Sequence, residues 1–476
     1  MLSRAGAGRQ DGLRIDQLPP GPVHAVGAAG LEVASMVRYL VEQGRDDIVV
    51  HDLAPEFRAA FEQAHKLQAP QLRARSWAAL SQCTGGLRTG RDYLTGIEHA
   101  AAVLTPVAWF LHRANDPLRR VRDRFVTWPD ACFDLWDGPV IGVTGTVGKT
   151  TTAAIAAVLT GGIFGGNDRE SETDLDVLAH RPADQVLAFE LSNRHLHNGW
   201  RRTLDVGVLT GIALNHEVDH GSFEAYRQTK YSIASACDRF LFPAGLPRQW
   251  PDAAQACSRG ASFGNGGQWR LDGDTLLGPG GTACELPGLG ASPALTRQNV
   301  IAAAAAALLA GVPPEVVTSR AADLGRSVPR YRHARRRVGE TWVVNDAASC
   351  VPAATAALVR SLADPSVLVC GGDRQLYRPG EFAELAEAVA GNPAVVQVLT
   401  IGPMAPHLEA EFAAVGVVRV RQAADLAAAV SEAAGGGMAR DATLVFSPGC
   451  GTGALYVDKY ARGEEFDRVV GRFFGA

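Results

Sequence analysis

The chain has 476 residues, 47% of them hydrophobic and 20% charged, with a formal charge of −4. That balance describes an ordinary folded protein of two to four domains and gives no reason to expect nucleic acid or an anionic membrane as partner. No run of about 18 uncharged apolar residues occurs, so no membrane-spanning helix is expected; the eight cysteines, with no Cys-x-x-Cys pair, read as free thiols in a reducing cytoplasm.

Residues Met1 to Pro20 lack the apolar core of a secretory signal and read as a short flexible extension. Pro22-Val-His-Ala-Val-Gly27-Ala-Ala-Gly30, an amphipathic stretch to about Glu42, and Asp47-Ile-Val-Val-His-Asp52 predict strand, glycine turn, helix and strand. Asp52 is either a nucleotide contact or a turn residue ending the strand. A second unit begins at Pro139-Val-Ile-Gly-Val, followed by a glycine-rich loop and a helix through about Leu159. Strands are expected at Gln185–Glu190 and Val206–Thr210, and a helix over Gln298–Leu309. The basic stretch around Pro329-Arg330-Tyr331-Arg332-His333 opens a third alternating segment, with strands at Thr341–Asn345, Ser366–Gly371, Val395–Ile401 and Ala442–Phe446 and helices from about Ala353 and Glu381. Alternation of this kind implies parallel sheets covered on both faces. The fold class is therefore α/β in three consecutive domains. These are a Rossmann-like domain at 1–137, a central P-loop ATPase-like parallel sheet at 138–326, and a Rossmann-like domain at 327–476.

Only four of the 46 basic residues are lysines. Where arginine serves for most positive charge, a retained lysine suggests chemistry that a planar guanidinium performs poorly. Lys149 ends the loop Thr144-Gly145-Thr146-Val147-Gly148-Lys149-Thr150-Thr151. Between a strand and a helix, such a loop aims backbone N–H groups at phosphate oxygens, with the lysine on the β/γ-phosphates and the Thr150 hydroxyl on Mg²⁺. The strict phosphate-loop spacing wants glycine at 143, where valine stands. Glu190 ends a strand, where a carboxylate is placed to hold magnesium or is simply a strand-end acid.

His216-Glu217-Val218-Asp219-His220 formally matches the zinc-peptidase pattern His-Glu-x-x-His. Val218, Asp219, Gly221 and Ser222 are indifferent or poor helix formers, and a phosphate loop does not belong with a zinc protease. The zinc reading is set aside.

Taken in order, these residues resemble the Mur ligases, ATP-dependent amino-acid ligases of peptidoglycan synthesis. The resemblance covers most of the chain. It rests on the loop at 144–151, on Gly165-Gly166-Asn167, on Glu190, and on the run Asn215 to Lys230, which aligns without gaps to the family's Asp-His-Leu-Asp-x-His-Gly-Ser-x-Glu-Ala-Tyr-x-x-x-Lys. Gln298-Asn299-Val300, Pro329 to Arg332, Asn345-Asp346 and Ser447-Pro-Gly-Cys450 through Arg462-Gly463-Glu-Glu-Phe466 extend it, the last resembling the D-glutamate-adding branch. The resemblance implies catalytic roles for Lys149, Glu190, His216 and Lys230, and metal binding by Thr150, Glu190, His216 and Lys230. Lys230 would carry a CO2-derived carbamate, whose negative charge holds a second Mg²⁺. His220 is the second histidine of the run. Asn215 replaces the family's aspartate, so the hydrogen bonding behind His216 differs. Nucleotide contacts fall on Gly145, Thr146, Gly148, Lys149, Thr150, Thr151, Asn299, Arg330, Arg332 and Asp346. Substrate contacts fall on Gly27, Gly30, Asp52, Asn167, Ser192, Cys350, Thr452 and Tyr456.

The departures cluster where the D-glutamate-adding branch grips its amino acid. Ala348 stands in place of a lysine, Cys350 in place of a threonine, Gln375 near a second lysine, and Gly453-Ala-Leu-Tyr456 in place of an acidic stretch. Each lost charge-assisted contact removes about 1.5–3 kcal/mol unless Arg374 or another group compensates.

The implied reaction needs ATP and two Mg²⁺ ions. A carboxylate of a UDP-linked muramoyl acceptor takes the γ-phosphoryl group, and an amino acid then displaces phosphate to form an amide. The first domain would hold the acceptor, the second ATP and the third the amino acid, with closure of the third excluding water. The expected enzyme is a cytoplasmic monomer acting on small molecules. Two other readings stay open: the same machinery redirected to another acid and amine, and an ATP-hydrolysing switch that makes no amide.

Overall fold

The computed structural model describes residues 12–66, 68–168, 170–172, 174–182, 184–214, 220–287, 289, 296–326, 329–373, 378–435 and 442–475. They form two compact units, one made mainly of residues below 327 and the other mainly of residues 329–475.

The first unit contains two parallel sheets. Strands β1 (Val23–Val26), β2 (Ile48–Asp52), β3 (Leu87–Thr89), β4 (Ala102–Thr105) and β5 (Phe125–Thr127) assemble in the order β3-β2-β1-β4-β5, all parallel. This is the doubly wound arrangement, and β1, β2, β4 and β5 are buried along their whole length, as strands covered on both faces must be. Helix α1 (Leu31–Glu42) crosses from β1 to β2 and packs on α2 (Pro70–Gln82). Residues 12–20 are not a free extension. Ile15 is buried, Leu13 N donates to Phe125 O, and Ile15 N donates to the Asp134 carboxylate at the end of α3 (Trp128–Asp134).

The second sheet runs β11-β10-β9-β6-β8-β7 and is also wholly parallel. Its strands are β6 (Val140–Thr144), β7 (Ile163–Gly166), β8 (Leu187–Glu190), β9 (Leu204–Leu209), β10 (Cys237–Pro243) and β11 (Gly260–Phe263). Helix α4 (Lys149–Thr160) follows β6. Short helices α5 (Leu175–Ala179) and α6 (Asn193–Asn198) follow, with α7 (Phe223–Tyr231) and α8 (Arg297–Leu309) further on. Ala302 to Ala307 on α8 are all buried, and α8 packs on α4, which carries four alanines of its own. A helix apolar all round belongs between neighbours, and small side chains let two such helices approach closely. A small antiparallel sheet, β12 (Arg270–Asp272), β13 (Thr275–Leu277) and β14 (Ala283–Glu285), completes the unit.

Polar and charged ties bind the two large sheets into one unit. Arg38 on α1 is 1% exposed and donates to Ser35, Ser76 and the Asp174 carboxylate just before α5. Arg75 on α2 reaches Asp174, Asp176 and Glu42. Trp109 Nε1 donates to Asn198 Oδ1, and Arg201 Nη2 donates to both carboxylate oxygens of Asp134.

The second unit holds a six-stranded sheet ordered β15-β16-β20-β17-β18-β19. Its strands are β15 (Ala334–Val338), β16 (Thr341–Asn345), β17 (Ser366–Gly371), β18 (Val395–Ile401), β19 (Val420–Gln422) and β20 (Thr443–Phe446). Only the β15–β16 pair is antiparallel. Helix α9 (Pro352–Ser361) follows β16 and α10 (Lys459–Phe474) ends the chain. Among the described residues no helix is long and apolar enough to cross a membrane.

Candidate active site

Strand β6 lies in the middle of its sheet, and its carboxyl end delivers the chain into the glycine loop before α4. Two glycines make that turn possible. Gly145 has φ +146° and Gly148 φ +87°; a Cβ at Gly148 would stand 2.7 Å from Asn299 Oδ1, and one at Gly145 would overlap the Thr210 hydroxyl. Such positive φ values are cheap only without a Cβ. The loop is pinned by Thr146 N to Gly211 O at 2.9 Å and by the Thr146 hydroxyl to the Tyr226 hydroxyl at 2.9 Å. Lys149 Nζ folds back onto Thr146 O at 3.0 Å. Asn299, on the first turn of α8, lies against the loop at Gly148.

Glu190 ends β8, next to β6, and is 3% exposed. Its Oε2 accepts from the Thr150 hydroxyl at 2.6 Å and its Oε1 from the exposed Asn167 amide at 3.4 Å. Asn167 N also donates to Glu190 O, closing the end of β7 onto β8. Thr150 and Thr151 are buried on the first turn of α4. The loop is a cradle that side chains at 145 or 148 would fill, and Thr150 with Glu190 supplies hard oxygen donors beside it. That donor set suits a magnesium nucleotide.

Lys230, in the last turn of α7, is 1% exposed, and its Nζ donates to the Thr144 hydroxyl at 2.9 Å. Thr144 passes its own hydrogen to Leu191 O. Burial pushes the Lys230 amine well below the ordinary lysine range; the Lys149 charge lowers it further, against an opposing pull from Glu190. Burial that disfavours the ammonium favours the free lone pair that reaction with CO2 requires. One turn earlier, burial raises the Tyr226 phenol, partly offset by its bond to Thr146.

His220 is buried beside these groups, with Nε2 3.0 Å from Asn193 Nδ2 and Nδ1 3.4 Å from the Thr229 hydroxyl. Asn215 and His216 lie outside the described residues, and among the described residues no group of three His, Cys, Asp or Glu side chains is disposed to hold a metal. Tyr226, Thr144 and Asn193 were not singled out from sequence. For Tyr226 a signal existed: it stands four residues before Lys230, so both face the same side of α7.

The structure thus brings together Gly145, Thr146, Gly148, Lys149, Thr150, Thr151, Asn167, Glu190, Lys230 and Asn299. Ser192 caps α6, accepting from His195 N at 3.2 Å while His195 Nδ1 takes the Ser192 N–H at 3.1 Å. In the first sheet, Gly27 turns with φ +69° after β1 and Gly30 caps α1. Asp52 binds the backbone N–H groups of Ala29 and Ala54, both at 2.9 Å, so its carboxylate shapes the glycine turn.

In the second unit, Asp346 directly follows β16 and is 1% exposed. Its oxygens accept from His333 N at 3.1 Å and from the Ser349 and Ser447 hydroxyls, both at 2.6 Å. The exposed Arg330 donates to the Tyr331 hydroxyl at 2.6 Å, and Arg332 is half-buried. Half-buried Cys350 accepts from Arg462, and half-buried Thr452 and Tyr456 lie on the loop between β20 and α10. Arg374 and Gln375 lie outside the described residues.

Comparison with known proteins agrees with this geometry. The family model described as Mur ligase middle domain matches residues 143–242, from the glycine loop through Lys230. A UDP-N-acetylmuramoylalanine–D-glutamate ligase of Symbiobacterium thermophilum is 28% identical over 474 residues, covering 94% of this chain and 97% of the relative. The ligase of the same name from Roseiflexus sp. is 30% identical over 372 residues, covering 72% and 78%. Among solved structures, the UDP-N-acetylmuramate–alanine ligase MurC of Thermotoga maritima is similar in fold, with a TM-score of 0.56, 15% identity, and coverage of 94% and 98%. The chain belongs to the Mur ligase family of ATP-dependent, ADP-forming amide ligases.

Proposed function

We propose that this enzyme joins an amine to the carboxylate of a UDP-N-acetylmuramoyl-type acceptor through an acyl phosphate. The observation that carries the reading is the convergence of three groups at the carboxyl edge of one sheet: the glycine loop after β6, Glu190 after β8, and the buried amine of Lys230 on α7. The long-chain relatives that carry the UDP-N-acetylmuramoylalanine name support this acceptor class. The work divides among segments 1–137, 138–326 and 327–476, which take the acceptor, ATP and the amine.

An acceptor carboxylate oxygen attacks the γ-phosphorus, and the bond to ADP breaks. The amine nitrogen then attacks the acyl carbon, loses a proton, and inorganic phosphate leaves. Backbone N–H groups of the loop and the Lys149 ammonium orient the phosphates and balance their charge. Thr150 and Glu190 would hold one Mg²⁺, together with His216. Lys230, reacting as the free amine, takes up CO2 and releases a proton; the resulting carbamate would hold a second Mg²⁺. Magnesium, when bound, neutralises charge on the phosphoryl oxygens. Asn299, which lies against Gly148, is assigned to the nucleotide base by resemblance, as Arg330, Arg332 and Asp346 are to ATP.

The test is phosphate release from Mg-ATP by the full chain. Release should need both a UDP-N-acetylmuramoyl acceptor and an amine, and Lys149→Ala should lower it at least about 100-fold, the usual scale for a lost electrostatic stabiliser. Equal release without acceptor and amine would make the protein an ATP-driven switch and end this reading.

A further inference from the structure

The carboxyl edge of the second unit's sheet is where an α/β fold places its ligand. Its buried groups are ill suited to a dicarboxylic amino acid. Among the described residues, Arg462 is the one buried cation of this unit. All five of its N–H donors are engaged inside the protein. Nε and Nη2 donate to Ala347 O at 3.1 and 2.6 Å, Nη2 also to Cys350 Sγ at 3.4 Å, and Nη1 to Cys450 O and Gly451 O at 2.9 and 3.0 Å. Arg462 therefore has no donor left for the second, side-chain carboxylate that distinguishes a dicarboxylic amino acid.

The same edge carries an acid with an open oxygen. Asp373 follows β17 and is half-buried beneath the loop after β20. Its Oδ2 accepts from Ala454 N at 2.9 Å, and Gly453, with φ +50°, leaves room for the carboxylate where any Cβ would overlap it. Oδ1 accepts no hydrogen bond among the described residues. The loop that Asp373 holds then displays Leu455 and Val457, 47% and 52% exposed. Large apolar side chains held in water beside an open carboxylate complement an ammonium group joined to an apolar body.

We propose that the amine substrate carries an apolar, uncharged side chain, with its ammonium group against Asp373 and its side chain against Leu455 and Val457. The proposal rests on the ligase reading and names the substrate class it lacks. It separates this chain from the relatives named as D-glutamate ligases.

The experiment uses the full chain with Mg-ATP and UDP-N-acetylmuramoyl-L-alanine. A first arm omits the amine and traps the acyl phosphate with hydroxylamine. A second arm supplies both enantiomers of glutamate, aspartate, valine, leucine and phenylalanine and measures kcat/KM for amide formation. The best apolar amino acid should exceed either glutamate at least tenfold. Asp373→Arg should shift that ratio at least tenfold toward glutamate. Leu455→Lys with Val457→Lys, both exposed positions, should raise KM for the apolar amine at least fivefold and change kcat less than twofold. Hydroxamate formation together with preferred capture of either enantiomer of glutamate or aspartate would overturn this proposal alone. Absence of hydroxamate with every UDP-linked acceptor would overturn the ligase reading and this proposal with it.

Discussion

Lys230 shows how one buried amine separates two roles. Its Nζ has a hydroxyl partner in Thr144 and an adjacent cation in Lys149, so a fixed positive charge here is held at a disadvantage. Conversion to an anion relieves that repulsion. Lys230→Ala should therefore cost about 100-fold in ligation rate, and formate, acetate or propionate at millimolar concentration should restore part of it. A variant that no small carboxylate rescues would remove the carbamate and leave a structural lysine. Both key lysines were legible in the sequence because arginine had taken nearly every other cationic position. Asp52 and Ser192 were less so. An acid after a strand and a serine before a helix carry the same spacing whether they meet a ligand or the backbone. Only the bonds to Ala29, Ala54 and His195 show what their side chains do here.

The loop between β6 and α4 is the element most completely written in the sequence. Its strand was expected from Pro139 and its helix to about Leu159; they run Val140–Thr144 and Lys149–Thr160. The close fit of α8 against it was not legible, since nothing in a run of alanines says which helix it will meet. That fit gives Gly148 a second reason to lack a side chain besides its φ of +87°. Gly148→Ala adds about 1–2 kcal/mol of left-handed strain and pushes Asn299 away, so KM for ATP should rise about tenfold or more, read from phosphate-release kinetics. An unchanged KM would mean that the loop relaxes without losing its grip on phosphate. Strands β3, β4, β5, β7, β10, β11, β15 and β19 and the antiparallel trio β12–β14 were not anticipated. All but the seven-residue β10 have three to five residues, and β4 and β5 are buried throughout, so they show too little alternation for a period to emerge.

At the scale of the whole molecule, two features of the first unit bear on stability. In the first sheet, His24 Nδ1 and His51 Nε2 lie 2.9 Å apart, and His51 Nδ1 bonds Tyr93 O. Burial and the neighbouring His51 push His24 down to about 4, and burial lowers His51 as well. The unfolded chain takes up protons near pH 6.5 that the folded pair refuses, so stability is full above about 6.5 and falls as the pH drops toward 4. Urea midpoints at pH 7, 6, 5 and 4 should show this loss, and His24→Gln should shrink it. An identical acid loss in the variant would place the sensitivity elsewhere. The second feature joins the two sheets: Arg38 and Arg75 meet Asp174 across 136 and 99 positions of chain, a separation no local pattern reveals. It constrains anyone who would re-engineer the enzyme by exchanging modules. A chimera that imported a foreign segment for 12–137 would leave a buried acid facing strangers, so Asp174 and Asp176 must travel with the graft as part of the same cassette.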